Sequence, residues 1–257
     1  MNDIKTEIDN ELHDVLRSCV KVGRNLLEYG AESVLIRGFV ERTGKLYGMD
    51  HTEISLSSSS MVITAMKGDD WITITVRCPD RGIDMSRVME VERAIVLAES
   101  GKISLRELET LIDNPGTPSY NRWLVVFIVG LSCGCFSKLA GGDFVIFGIT
   151  STASVLGMII LQEFKKRLFN PVVSYFCSAF MCTCISAMSI KYNLGNEPAV
   201  AVFSSVLMLV PGFPLVNALS DILKGFKNMG VARWVAASLI TLSTALGMVF
   251  SMSIMGV

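Results

Sequence analysis

Apolar residues first recur at helical spacing. Ile4, Ile8, Leu12, Val15, Leu16, Cys19, Val22 and Leu26 share one face of a helix over residues 4–29, which Gly30 ends. A second helix runs from Glu32 to Tyr47 with Val34, Leu35, Phe39, Val40 and Leu46 inward. Residues 53–66 then read as strand, interrupted by Ser57-Ser58-Ser59-Ser60. Lys67-Gly68-Asp69-Asp70 is a turn, and Trp71–Val76 alternates Ile72, Ile74 and Val76 against Thr73 and Thr75, which is a second strand pattern. After the loop Cys78-Pro79-Asp80-Arg81-Gly82 come a helix over Ser86–Ser100 and a short one over 104–112, and Asn114-Pro115-Gly116-Thr117-Pro118 forms a linker. This half predicts a small α+β domain with an antiparallel sheet, residues 1–118.

Beyond the linker the amphipathic periods give way to charge-free stretches: Trp123–Ser137, extendable past Lys138 to Ala140, then Phe144–Gln162, Pro171–Ile190, Ala199–Ser220 and Trp234–Val257. A spanning helix needs ~20 mostly apolar residues. Residues 119–257 therefore predict a transmembrane domain of about five helices, at 121–140, 143–162, 171–190, 198–220 (broken at 211–214) and 233–256. The fold class expected is an α-helical membrane protein with an N-terminal cytoplasmic α+β domain.

Composition sharpens the division. The 257 residues are 51% hydrophobic and 18% charged. Residues 1–122 hold 15 of the 23 Lys and Arg and 20 of the 24 Asp and Glu, and the remainder holds only 8 and 4. A net charge of -1 gives no footprint for nucleic acid. The start MNDIKTEIDNELHD has neither a basic nor an apolar region of a secretory leader, which predicts a first domain that stays in the cytoplasm. The connections agree. Lys165, Lys166, Arg167, Lys224, Lys227 and Arg233 lie on one side, and Lys138 and Lys191 on the other; the base-rich side is cytoplasmic, so the C-terminus is periplasmic. Trp123 and Trp234 sit at expected interfaces. Of the seven cysteines, five lie in apolar sequence; Cys133-x-Cys135 and Cys182-x-Cys184 lack metal-site spacing and read as packing residues. His13 and His51 are far apart in sequence, and neither a metal nor another cofactor is expected.

Several membrane residues exceed what anchoring requires. In Val210-Pro211-Gly212-Phe213-Pro214 two prolines flank a glycine, after about 18 Å of helix, so the break falls inside the bilayer. Pro214 is expected to open a second half-helix whose positive end faces into the membrane and favours an anion; a simple proline kink is the plainer alternative. Asn217 and Asp221 share one face of that half-helix, and Asp221 and Lys224 are spaced to pair; a solvated helix end is the alternative for Asp221. Near the end of the first span come Ser132, Ser137, Lys138, Gly141, Gly142 and Asp143. An intramembrane cation such as Lys138 is a functional candidate, or else snorkels to the surface. Gly141-Gly142 marks the turn. The proposed path residues are thus Lys138, Ser132, Ser137, Gly141, Gly142, Asp143, Pro211, Gly212, Phe213, Pro214, Asn217 and Asp221, and no catalytic set is assigned. In the first domain Glu32 and Arg37 read as helix-bridging residues. The Ser57–Ser60 run lacks a nucleophile elbow and a clear histidine base, so a hydrolase is a lesser reading. No ATP-binding signature is present, so any transport is expected to draw on gradients or the membrane potential.

Taken together, Gly30-Ala31-Glu32-Ser33, Asp80-Arg81-Gly82, Gly130-Leu131-Ser132, Phe136 to Gly142 and Val210 to Ala218 resemble the threonine/serine exporter (ThrE) family over essentially the whole chain, most closely its short YjjP-type branch from enterobacterial inner membranes. Full-length members have about ten spans, so five spans look like the first half. The resemblance implies a second half supplied by a separate YjjB-type small membrane protein. It also implies export of small carboxylate metabolites, succinate for the split branch and threonine or serine for the undivided one. A regulatory subunit, with the pore wholly in the partner, is the remaining alternative.

Overall fold

The computed structural model describes residues 2–114 and 120–257, with side chains from residue 12 onward. The side chains of Ile4 and Ile8 and most of the 114–118 linker lie outside this description. In chain order the elements are α1 (Asn2–Glu28), α2 (Ser33–Leu46), β1 (His51–Leu56), β2 (Ser60–Lys67), β3 (Asp70–Arg77), α3 (Met85–Glu99), α4 (Leu105–Asp113), α5 (Arg122–Leu139), α6 (Phe144–Lys166), α7 (Pro171–Lys191), α8 (Pro198–Val206) with a 3-10 turn over Leu207–Leu209, α9 (Gly212–Leu223) and α10 (Lys227–Met255). The chain divides into two compact units. One comprises Met1–Pro118 with Pro214–Trp234, and the other Ser119–Phe213 with Val235–Val257. The sequence expectation kept residues 214–234 wholly within the membrane half, whereas their packing is with the first unit.

In the first unit β1, β2 and β3 form an antiparallel meander in which Ile63 pairs with Ile54 on one side and Ile74 on the other. The serine interruption is the hairpin turn: the Ser57 amide donates to the Ser60 carbonyl at 2.9 Å. Met61, Ile63 and Ala65 of β2 are buried, as strand alternation requires. They join Leu12, Leu16, Cys19, Val22 and Leu26 of α1, with Ile36 and Val40 of α2, Ile95 of α3 and Leu108 of α4. Met229, more than a hundred residues downstream of the rest, belongs to the same core. Sequence caps explain the helix starts. Asp84 caps α3, and Ser104 and Glu107 make a reciprocal capping box on α4.

The second unit inverts the soluble pattern. Phe127, Phe144, Phe203, Leu239 and Leu246 face outward, while Ser137, Thr150, Ser154, Ser178, Ser186 and Ser205 are buried. Water would penalise that arrangement and a hydrocarbon solvent favours it, because small polar residues let helices approach and exchange hydrogen bonds. A β-carbon on Gly157 would collide with Cys182, one on Gly134 with Ser151, and one on Gly247 with the Phe176 carbonyl, so these three glycines set the α6–α7, α5–α6 and α7–α10 spacing. Among the described residues four helices, α5, α6, α7 and α10, are long and apolar enough to cross a membrane, and α8 with α9 makes a fifth if the broken pair is one span.

The break differs in detail from the expectation. Its arms are bent from one another by 57°, beyond a gentle curvature. The second helix, however, opens at Gly212, not Pro214. Pro211 is the cause: it bars helical geometry from the preceding residue, and Val210 is extended at ψ 120. Pro214 then falls in the first turn of α9, where a missing amide costs nothing.

Candidate functional site

The interior of the second unit mixes small apolar side chains with many hydroxyls. On α7, Ser174, Ser178, Cys182 and Ser186 recur every fourth residue and are all buried. Ser178 Oγ donates to the Gly157 carbonyl at 2.8 Å, and Cys182 Sγ lies 3.4 Å from the Ala153 carbonyl, fixing α7 on α6. Ser154 Oγ donates to the Ser205 carbonyl at 3.0 Å, and Ser205 Oγ to Ser186 Oγ at 3.1 Å, which ties α6, α7 and α8 at one level. Within a turn of Ser154 and Ser186 stand Thr150 and Thr183. Both are fully buried, and neither hydroxyl has a hydrogen-bond partner. An unmet buried hydroxyl costs about 1–3 kcal/mol. Two of them beside a connected hydroxyl cluster are spare polar valences that a small polar solute or water can meet. The sequence analysis missed this cluster, although the four-residue recurrence on α7 is plain in the sequence.

The path residues expected around the first turn occupy its rim. Ser137 is buried and donates to the Gly134 carbonyl at 2.7 Å, while Ser132 is exposed. Lys138 is exposed, its ammonium 4.4 Å from the centre of the Phe144 ring. Asp143 caps α6 by accepting from the Ile146 amide at 2.9 Å. Asn196, from the α7–α8 loop, clasps the turn, donating to the Gly141 carbonyl at 2.7 Å and accepting from the Asp143 amide at 2.8 Å. Gly142 has no room for a side chain, since a β-carbon there would meet Ile146 and the Ser137 carbonyl. At the break Pro211 is buried, and Gly212 and Phe213 are exposed.

Asn217 and Asp221 take part in a different structure, within the first unit. Helix α1 ends in a Schellman motif, with Gly30 at φ +80 and the Ala31 amide donating to the Leu26 carbonyl at 2.9 Å. Helix α2 begins two residues later, and its N-cap residue, Glu32, makes no side-chain cap. Asp221 supplies the acceptor instead: its fully buried carboxylate takes the Ser33 amide at 3.0 Å. A carboxylate there also complements the positive end of α2. Arg233 makes that burial tolerable by pairing with Asp221 at 2.7 Å and donating to the Ala31 carbonyl at 2.7 Å. Asn217 donates to the Gly30 carbonyl at 3.1 Å. Glu32 receives the Ser220 hydroxyl and pairs with Lys224 at 2.5 Å. These two donors, with Lys224 the larger influence, hold the Glu32 carboxyl below its ordinary range. The alternative of a solvated helix end does not hold for Asp221, and the expected pairing with Lys224 is corrected: its partner is Arg233, because Lys224 reaches Glu32. Arg37 pairs with Glu41 at 3.6 Å and lies over the Phe226 ring.

The serine-nucleophile reading fails on geometry. Ser57–Ser60 form the turn at one end of β1 and His51 begins its other end, a separation of roughly 17–20 Å along a six-residue strand. Among the described residues the cysteines are free thiols, and no three His, Cys, Asp or Glu side chains gather as a metal would need.

An apolar exterior over long apolar helices marks a multi-pass membrane protein, and the relatives it matches are named as transporters. The chain belongs to the family described as "Putative threonine/serine exporter", which matches residues 17–255. A protein of Escherichia coli K12 named "Probable succinate transporter subunit YjjP" is 41% identical over 243 residues, 94% of this chain and 95% of that one. Its namesake in Klebsiella aerogenes is 39% identical over 96% of both chains. A "Probable threonine/serine exporter" of Mycobacterium tuberculosis is 21% identical over 95% of this chain but only 47% of its own length. No solved structure matches the chain.

Proposed function

We propose that the chain is one membrane subunit of a bacterial inner-membrane exporter of small carboxylates, with succinate or a related dicarboxylate as the favoured cargo. The observation that carries the reading is a difference in coverage. The chain matches proteins named as transporter subunits end to end, yet fills about half of a single-chain exporter. The relatives are named as subunits, so this reading includes a second membrane subunit, of the YjjB type. Threonine or serine is the alternative cargo, after the more distant relative's name.

The two units support the details. In this reading the six bases of the connections mark the cytoplasmic side, which places the first domain there. The solute path in this reading runs by the unmet hydroxyls of Thr150 and Thr183, with Ser132, Ser137, Lys138, Gly141, Gly142 and Asp143 at its outer mouth and Pro211, Gly212, Phe213 and Pro214 as the helix break. Asn217 and Asp221, expected on the path, hold α9 within the first unit. A dianion leaving a negative-inside cell gains about 2.3 kcal/mol per charge per 100 mV, so export needs no nucleotide. Counterflow of labelled succinate and threonine into liposomes carrying this chain, the partner, or both is the test. Saturable succinate flux only with both subunits is expected. Flux through the partner alone would make this chain a regulatory subunit, and flux of threonine alone would change the cargo.

A further inference from the structure

Helix α1, the Asp80–Gly82 loop, the start of α3 and the end of α4 line an open cavity of about 370 Å³ in the first unit. Its walls carry four cations, Lys21, Arg24, Arg81 and Arg87, against two carboxylates, Glu28 and Asp113. Glu109 and Glu90, beside the cavity, bring the carboxylates to four, but the pairing is uneven, because two arginines share the single carboxylate of Glu28. Glu28 is buried and held from both sides, by Arg24 Nε at 2.7 Å and Arg81 Nε at 2.8 Å. Each guanidinium thus engages Glu28 through its Nε, and its planar fork carries two further amino groups. The third, Arg87, is oriented by the Tyr29 ring, 5.5 Å away, and meets Glu90 only at 3.7 Å. Lys21 is committed to Glu109 and Asp113 at 2.9 and 2.8 Å. The backbone is firm: the Arg81 amide donates to the Glu28 carbonyl at 3.0 Å and the Asp84 amide to that of Tyr29 at 3.2 Å.

We propose that this cavity is a binding site for a small dianion, a dicarboxylate or inorganic phosphate, held by the forks of Arg24, Arg81 and Arg87. Planar guanidiniums match carboxylate and phosphate oxygens two at a time, and a cavity of this size admits a small metabolite. The site is cytoplasmic-domain chemistry, separate from the hydroxyl cluster of the second unit, and it does not rest on the transport reading. It adjoins the Gly30–Ser33 segment that holds α9, one residue from Tyr29.

The test is hydrogen–deuterium exchange and calorimetry on the full chain in detergent, titrated with succinate, inorganic phosphate or acetate. Succinate or phosphate, and not acetate, is expected to bind saturably and protect the amides of residues 21–30 and 78–88. Which of the two binds tighter identifies the source. Arg87→Gln, which leaves both Glu28 pairs intact, and Arg81→Gln should each weaken binding roughly tenfold. Arg42→Gln, whose partner is Glu99 outside the cavity, should not. Absence of protection by either dianion at millimolar concentration, or binding unchanged in Arg87→Gln and Arg81→Gln, overturns the proposal.

Discussion

Asp221 shows how much a single carboxylate's setting decides. It is fully buried between an arginine and a helix start, whereas Lys224 and Glu32, one turn along, remain partly in water. Breaking a buried pair from one side costs about 3–5 kcal/mol, and an exposed pair contributes at most about 1 kcal/mol. Asp221→Asn should therefore lower the thermal unfolding temperature of the detergent-solubilised protein far more than Lys224→Ala; equal losses would show that Asp221 does not hold α9. Glu32 makes a prediction about pH. Its carboxyl is held below the ordinary value of 4.5 by Lys224 and Ser220. The stability this adds is fully present above that value and disappears as pH falls through the lowered one. The deficit of Glu32→Gln relative to the natural chain should be constant from neutral pH down to about 5 and shrink in more acid buffer, as followed by thermal melts. A deficit that grows on acidification would rule the pairing out.

At the scale of elements, Thr150 and Thr183 separate structure from transport. Valine has threonine's shape without the hydroxyl, and a hydroxyl with no partner loses nothing on removal. Thr150→Val and Thr183→Val should insert and melt like the natural chain, or slightly above it, while succinate counterflow falls. A melting temperature lowered by either substitution would mean that the hydroxyl is satisfied in the folded protein. Element types were well legible in the sequence. The i, i+4 face of α1, the β3 alternation and the charge-free runs each carry one period and one solvent. The break was legible too, but not its exact joint, because Pro211 acts on the residue before it and Pro214 is harmless in a first turn. The hydroxyl interior escaped because serines in an apolar run look neutral until burial is known. The role of Asp221 escaped for another reason: its partner Ser33 lies 188 residues away, and no local pattern reports such a pairing.

At the scale of the whole molecule, the chain belongs to an exporter family and fills about half of one single-chain member. Its orientation is directly measurable. Cysteines introduced at Leu194, in the α7–α8 loop, and at Ser100, beyond α3, in a background with the natural cysteines replaced, should respond oppositely to an impermeant maleimide applied to intact spheroplasts. Leu194→Cys is expected to label and Ser100→Cys to label only after lysis. The reverse pattern would invert the topology and with it the direction assigned to the base-rich connections.

The grip of Asp221 and Arg233 on residues 31–33 also has a consequence for anyone recombining relatives of this family. A hybrid gene that exchanges the first 118 codons keeps the Asp221–Arg233 pair of one parent but sets it against residues 31–33 of the other, and Met229 meets a foreign core. The unit of exchange is discontinuous. Residues 1–118 and 214–234 travel together, and substitutions in one segment are tolerated in the company of matching substitutions in the other.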